Sequence, residues 1–284
     1  LKNQTSVLSS SDTGNGVGYS DFRIRGVAGT SINVMMNGVP YNDSESQGTF
    51  FVNVSDLASS ASQILIQRGV GSTTNGAAAF GASVNIITKN PEETPYFRTD
   101  QSYGSFDTRK HSFEAGTGNF LQNKFSIMAR YSIIKSDGYI DRATSDLQSY
   151  NITALFKTEK TKLKFLAFGG KEKTYQSWNG IDENTYKINR KFNSSGAIYQ
   201  GANIVNFYDN ETDNYRQNHY HLILNQSISN HWDLETTLHY TKGKGFYENY
   251  KQDQRTEKYN ILNSGIVKTD LIRKKWLDND FYGM

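Results

Sequence analysis

The 284-residue sequence has no cysteine, only three prolines, and no unbroken apolar run long enough for a membrane helix. Without cysteine there is no disulfide framework and no thiolate metal site. Without an apolar run of about 18 residues, no helix is a candidate to span a bilayer. An excess of one charge is missing too: 31 Lys and Arg stand against 28 Asp and Glu, a formal +3. Nothing in that balance favours nucleic acid as a partner. A mean hydropathy of −0.65 would suit a protein of the aqueous phase, but 18 Tyr and 16 Phe would not. Transmembrane barrels combine the two properties, because alternate strand residues face water while aromatics gather at the interfaces. The length allows one large domain or two modest ones. Leu1 opens the chain with no initiator Met or signal peptide, and Phe281–Met284 carries no recognisable stop, so both ends read as cut.

Two regions differ in texture. Residues 1–92 are rich in Gly, Ser and Ala and broken into short pieces. Strands are expected at Phe22–Arg25, Ile32–Met36, Gln63–Arg68 and Ser83–Thr88, separated by turn signals such as Gly14-Asn15-Gly16, Asn37-Gly38 and Asn75-Gly76. Ser55-Asp56-Leu57-Ala58 reads as an N-capped short helix. Lys89–Pro95 holds two of the three prolines and reads as a linker.

From residue 93 to 284 the period changes to two. Phe125, Ile127, Ala129, Tyr131 and Ile133 share one face, against Ser126, Met128, Arg130 and Ser132 on the other. Tyr150–Lys157 and Trp232–Thr241 alternate in the same way. The apolar faces of these three strands carry no charge, where a chain with 21% charged residues would place about three by chance. A lysine or arginine facing lipid at mid-bilayer costs about 2–4 kcal/mol, which accounts for the exclusion. A soluble β-sandwich would alternate similarly, so connection lengths are the better guide. Tight links near Gly118–Asn123, Glu159–Thr161 and Ser229–His231 alternate with long polar links near Ser136–Asp146, Thr174–Thr212 and Gly245–Lys275. Short turns at one end and long loops at the other are the habit of a membrane barrel. The chain supplies about seven strands and the start of an eighth, too few to close a plugged barrel of about 22.

Residues 22–90 carry a family resemblance. Phe22-Arg23-Ile24-Arg25-Gly26, then Ile32–Pro40, resembles the first plug motif of TonB-dependent outer-membrane receptors, an I-R-G box and a strand ending in D-G-V-P. Ile64–Gly69, then Asn75–Thr88, resembles the second. Asn37–Gly48 is similar to the Bacteroidetes-type members of the family. Asn37, Gln67 and Ala82 depart from the usual residues without removing a backbone requirement.

The resemblance implies an all-β transmembrane antiparallel barrel, present in part, behind part of an N-terminal α+β plug. The plug is expected over residues 1–92 and the first barrel strands over 93–284. It implies a place in the cell outer membrane, among outer-membrane lipid. The implied activity is active import of a scarce ligand powered by TonB, which would engage a segment outside this chain. Among cargoes a ferric siderophore leads, with cobalamin, haem and glycans as alternatives and a non-transporting surface barrel or a carbohydrate-binding sandwich as rival classes. A plug seated against a polar lumen wall is expected to need no large core. Arg23, Arg25 and Arg68 are the expected locks to acidic groups on that wall, since Arg–carboxylate pairing suits a buried polar interface.

Ligand contacts are expected where apical plug loops meet the long loops of the barrel. The candidates are Tyr19 on the first plug loop, Asp43, Ser44, Glu45, Ser46, Gln47 and Phe50 on the second, and Tyr175, Trp178 and Asn179 on the longest barrel loop. An anionic chelate would want cations, which Lys171, Lys173 and Lys187 would have to supply. Other chemistry is thin. His219-x-His221 with His239 could ligate a metal, but the reading as unpaired lumen or loop histidines outweighs that several-fold. Asp43-Ser44-Glu45 lacks calcium-loop spacing. Gly69-Val70-Gly71 lacks the Lys-Ser/Thr of a phosphate loop. No nucleophile elbow or H-E-x-x-H appears, so neither an enzyme nor a bound cofactor is expected.

Overall fold

The computed structural model describes residues 4–70, 80–261 and 267–284. The turn signal at Asn75-Gly76 lies outside the described residues. Strands β1 (Val7–Ser11) and β2 (Ser20–Ile24) pair as a small antiparallel ribbon. Next come β3 (Ile32–Met36), β4 (Val39–Pro40), β5 (Ala61–Arg68) and β6 (Ala82–Thr88), which form one four-stranded sheet in the order β4-β3-β6-β5. The β3–β6 pair is parallel and the others antiparallel. Asn37 and Gly38 both take positive φ, +50° and +81°. That is what the tightest hairpin turn demands and why asparagine and glycine stand there. The four expected plug strands are all present, Ile32–Met36 to the residue and the other three with ends shifted by a residue or two. The expected helix at Ser55 is instead a 3-10 turn over Leu57–Ser60, with Asp56 in the left-handed region and no side-chain cap.

The second region is an eight-stranded antiparallel sheet. Its members are β7 (Pro95–Gly104), β8 (Thr108–Thr117), β9 (Phe125–Ser136), β10 (Ser145–Lys157), β11 (Thr161–Tyr175), β14 (Thr212–Ser229), β15 (Trp232–Arg255) and β16 (Lys268–Gly283). Between β11 and β14 stands a lid built from helix α1 (Glu183–Ile188) and the hairpin β12 (Ala197–Gln200) and β13 (Asn203–Phe207). Each sheet member pairs with its sequence neighbour apart from this insertion, as in the wall of an up-and-down barrel. The sheet is open rather than closed. One expectation fails here: Gly245–Lys275, read as a loop, is mostly strand. β15 runs 24 residues and pairs with β16 up to Arg255 and Lys268.

Alternation sorts the wall into two faces. Phe125, Ile127, Ile152, Leu234 and Leu238 are exposed on the outside, while Ser126, Met128, Arg130, Ser132 and Thr153 are buried on the inside. A row of tyrosines crosses the outer face: Tyr150 opposes Tyr131, and Tyr220 opposes Tyr240, which opposes Tyr282. Such a belt marks a membrane interface.

The plug packs on the inner face, and not against a merely polar surface. Phe22, Ile24, Ile32, Val34, Met36, Val84 and Ile86 form one buried cluster with Leu166 and Phe168, which come from wall strand β11. The plug therefore has a core, shared between the two regions, although its sequence predicts no large one. Gly170 makes the close approach possible. A Cβ there would lie 2.4 Å from the Asn53 carbonyl oxygen of the plug.

Candidate functional site

Above this contact the plug and wall enclose a concavity of about 850 Å³. The plug supplies Tyr19, Tyr41, Asp43, Glu45, Ser46 and Phe50; the lid supplies Trp178; the wall supplies Asp213, Tyr215, Gln217, Tyr247, Lys275 and Asn279.

The first plug loop is tied to the wall rim before it reaches the pocket. Thr13 O accepts from Tyr139 N and Ile140 N, and Asn15 Nδ2 donates to Ser136 Oγ at 2.7 Å. Tyr19 then reaches across, its hydroxyl shared between Asp213 Oδ2 at 2.6 Å and Glu172 Oε1 at 3.2 Å. Burial, then the charges of Glu172 and Asp213, hold the Tyr19 phenol well above its usual range, so it stays a donor.

The second loop is a self-contained turn. Asp43 Oδ1 accepts from Ser46 N at 2.7 Å and Ser46 Oγ at 2.8 Å. Asn42 is spent on the backbone, bonding Val34 N, Ile32 O and Gln47 O. Gln47 sits at φ +58° and donates to Ser44 O at 3.1 Å. Asp43, Glu45, Ser46 and Phe50 thus line the pocket, whereas Gln47 shapes the turn and Ser44 turns toward a small neighbouring crevice with His219. Tyr41 is 8% exposed, and its hydroxyl has no hydrogen-bond partner among the described residues.

The lid is anchored rather than loose. Asp182 caps α1, accepting from Asn184 N and Thr185 N. Asn193 Nδ2 donates to Asp141 O and Gln176 O, and the Arg142 guanidinium lies 3.4 Å from the Phe207 ring centroid. Tyr175 belongs to this anchorage: it is buried, and its hydroxyl donates to Ser195 O and Tyr208 O. Asn179 likewise bonds Ser194 and Ser195 within the lid. Of the three lid candidates only Trp178 meets the pocket, edge-on to Tyr19 at 5.6 Å and to Tyr247 at 6.0 Å.

The cations fall elsewhere than expected. Lys171 and Lys173 flank the buried, inward-facing Glu172 and so face outward. Lys187 is exposed and paired with Glu183 on α1. The pocket's one lysine is Lys275, which lies on β16 in a segment whose sequence predicts a loop. Asp213, Tyr215 and Gln217 were legible in principle, as alternate residues on the inner face of β14.

Beneath the pocket lies the clamp between plug and wall, with the polarity opposite to that expected. Asp56 on the plug accepts from Arg130 Nη1 at 2.7 Å and Ser132 Oγ at 3.0 Å on β9, and from Lys110 Nζ at 2.9 Å on β8. Arg130 Nε also donates to Ser60 Oγ at 2.8 Å. Burial raises the Asp56 pKa, but hydrogen bonds from Ser59 and Lys110 and the charges of Arg130 and Lys110 outweigh it, so the net shift is downward. A second tie runs from Lys164 Nζ on β11 to Thr88 Oγ1 at 2.7 Å. Arg23, Arg25 and Arg68 are exposed and make no ion pair among the described residues. His219 stacks on Phe168 at 4.5 Å and on Tyr41 at 5.3 Å, and bonds Thr241 Oγ1.

Residues 1–83 match the model of the TonB-dependent Receptor Plug Domain. Among solved structures, the closed form of the Ferric-Catecholate import receptor Fiu from Escherichia coli K12 shares 16% identity over 97% of this chain and 38% of its own, with a TM-score of 0.62. The ferric citrate transporter FecA shares 15% identity over 86% of this chain and 38% of its own, with a TM-score of 0.61. The siderophore receptor PiuA from Acinetobacter baumannii shares 14% over 83% and 32%, with a TM-score of 0.60. The chain spans about a third of the length of these structures. No curated protein matches it. Its plug, and the open wall around that plug, have the architecture of a TonB-dependent receptor of the outer membrane.

Proposed function

We propose that the protein takes up a ferric chelate through the outer membrane, bound first in the pocket between plug apex, lid and wall and then released inward by TonB. The observation that carries this is the joint construction of the pocket. A cargo lying there touches Tyr19 and Asp43 of the plug, Trp178 of the lid and Tyr247 of the wall at once. Ligand occupancy is then coupled to the plug's seating, as an energised gate requires. The family match and the likeness to ferric-chelate receptors support the cargo class.

The lining narrows that class. Three carboxylates, Asp43, Glu45 and Asp213, face one amine, Lys275. Such a lining disfavours an anionic chelate and suits one that is neutral or carries an ammonium group, which the aromatic rings also accept. In this reading Asp56 clamps plug to wall, and Arg23, Arg25 and Arg68 are left for wall strands outside these eight. Glycan uptake is the second reading, favoured by the aromatic faces set among amides at Asn53, Gln217 and Asn279.

Uptake of radiolabelled iron as a trihydroxamate with a free terminal ammonium, and as the same complex succinylated, tests both points in iron-limited cells. TonB-dependent uptake that prefers the ammonium form and falls about tenfold or more in Trp178→Ala is expected. Uptake independent of TonB, or unchanged by Trp178→Ala, would overturn the assignment.

A further inference from the structure

On the outer face of the wall, just above the tyrosine row, three cations stand side by side. Lys171 of β11 is directly opposite Arg216 of β14, and Arg216 is directly opposite Lys244 of β15. Each is exposed between inward-facing buried neighbours: Glu172 beside Lys171, Tyr215 beside Arg216, and Gly243 and Gly245 around Lys244. Directly opposed residues hold their Cβ atoms about 4.5–5.5 Å apart, where like charges destabilise a sheet.

The surroundings neutralise Lys244 in part, through Asp278 directly opposite it on β16, and leave Lys171 and Arg216 without a counter-charge. Across from Lys171 on its other side is Gln148, which is neutral. The diagonal neighbours of Arg216 are Gly169 and Lys173 on β11, and Lys242 and Phe246 on β15. Of the nearby carboxylates, Asp146 is 2.7 Å from Lys135. Asp278 is 3.5 Å from Lys244 but 2.7 Å from Lys242. Lys171 and Arg216 have no ion-pair partner among the described residues.

A sheet that keeps three opposed cations in register gains from an anion placed over them. A shallow concavity of about 270 Å³ lies there, lined by Lys171, Arg216, Gln148, Tyr131 and Tyr150. The Tyr131 hydroxyl donates to Gln148 Oε1 at 3.0 Å, leaving the amide N–H groups of Gln148 for another acceptor. Arginine grips phosphate oxygens in pairs, and lysine adds a mobile point charge.

We propose that this row binds the phosphate of an outer-leaflet lipid headgroup. The tyrosine belt, whose rings favour the membrane interface, sets the depth. Lys171 sits one side-chain step above the level of Tyr150, and Arg216 and Lys244 sit two above Tyr220 and Tyr240, which places the row at headgroup level. Lipid, rather than a soluble anion, is favoured because the concavity opens on the face that bears the apolar strand residues. The proposal rests on the outer-membrane assignment and is independent of which cargo enters the lumen.

The test uses the full-length receptor, delipidated in a neutral detergent, with thermal unfolding and native mass spectrometry as readouts. Diphosphoryl lipid A, dephosphorylated lipid A and inorganic phosphate are added separately, the phosphate at matched concentration. The expected result is a raised Tm and one retained lipid with the diphosphoryl form only. Arg216→Gln should hold or raise the Tm without lipid, because repulsion is relieved, yet lose the lipid-dependent rise, with retention falling about tenfold. Lys187→Gln, on the lid and paired with Glu183, is the charge-matched control and should behave as wild type. Equal stabilisation by the dephosphorylated lipid or by inorganic phosphate would overturn the proposal, as would a full lipid response in Arg216→Gln.

Discussion

Plug and wall are both β-structures, yet they are stabilised in different ways. The plug buries Ile24, Ile32, Val34, Met36 and Val84 among themselves, as a small soluble domain would. The wall turns its apolar residues outward and its Ser126, Ser132 and Thr153 inward. Hydrogen-bonded strand ladders hold the wall together, and its apolar surface is satisfied only by lipid. The two meet at a mixed seam where Leu166 and Phe168 join the plug core beside the charged Asp56 clamp. The plug's ties can therefore be cut from its own side with the wall ladders left intact, whereas damage to β11 reaches both regions through Leu166 and Phe168.

The largest effect is expected at the clamp. Asp56→Ala strands the buried Arg130, while Lys110 keeps Asp100 at 3.3 Å, and breaking one side of a buried pair costs about 3–5 kcal/mol. Hydrogen exchange in the intact receptor should show loss of protection in β3 and β6 with β9–β11 unchanged. Unchanged plug protection would mean that the clamp carries no weight. Second, Ile152→Lys places a charge on the lipid face and should cost the wall about 2–4 kcal/mol near the bilayer midplane. Folding yield into vesicles reads this directly, and an undiminished yield would break the assignment of faces. Third, Gly170→Ala drives a methyl toward the Asn53 carbonyl and should cost about 1–3 kcal/mol of plug seating. The same exchange experiment should place that loss in the plug.

The smallest effect is one of pH. The folded-state pKa of Asp56 lies below its usual value, so the clamp's stabilisation is fully present above the unfolded pKa of about 3.9 and is lost as pH falls through the folded value. Plug protection should be flat from about pH 7 to 5 and weaken below about pH 4. In Asp56→Asn that acid dependence should vanish. If it persists, another carboxylate governs it.

How much of this could be read from the sequence follows the same division. Ile32–Met36 was placed to the residue because a turn signal fixes its end, and the faces of Phe125–Ile133 were sorted because lipid excludes charge. The upper half of β15 was missed because Glu248, Lys251 and Asp253 lie where no lipid imposes an apolar face. Ladder pairing with β16, with the lid bonded along its other edge, makes that segment a strand. Asp56 reads in sequence as part of a helix start, since an N-terminal Ser-Asp looks alike whether its carboxylate caps a helix or reaches across to another strand. At the pocket, Tyr19 and Trp178 stood out as aromatics on loops. Tyr175 looked equivalent in sequence but is consumed in holding the lid.

The 24-residue length of β15 has a further consequence. A tilted strand needs about 9–11 residues to cross the hydrocarbon layer. More than half of β15 therefore stands clear of it, shored by β16 on one side and the lid on the other. On this flank the receptor carries a parapet. The rim is raised on this flank, so a body approaching in the membrane plane from that side would meet strand before it met the pocket.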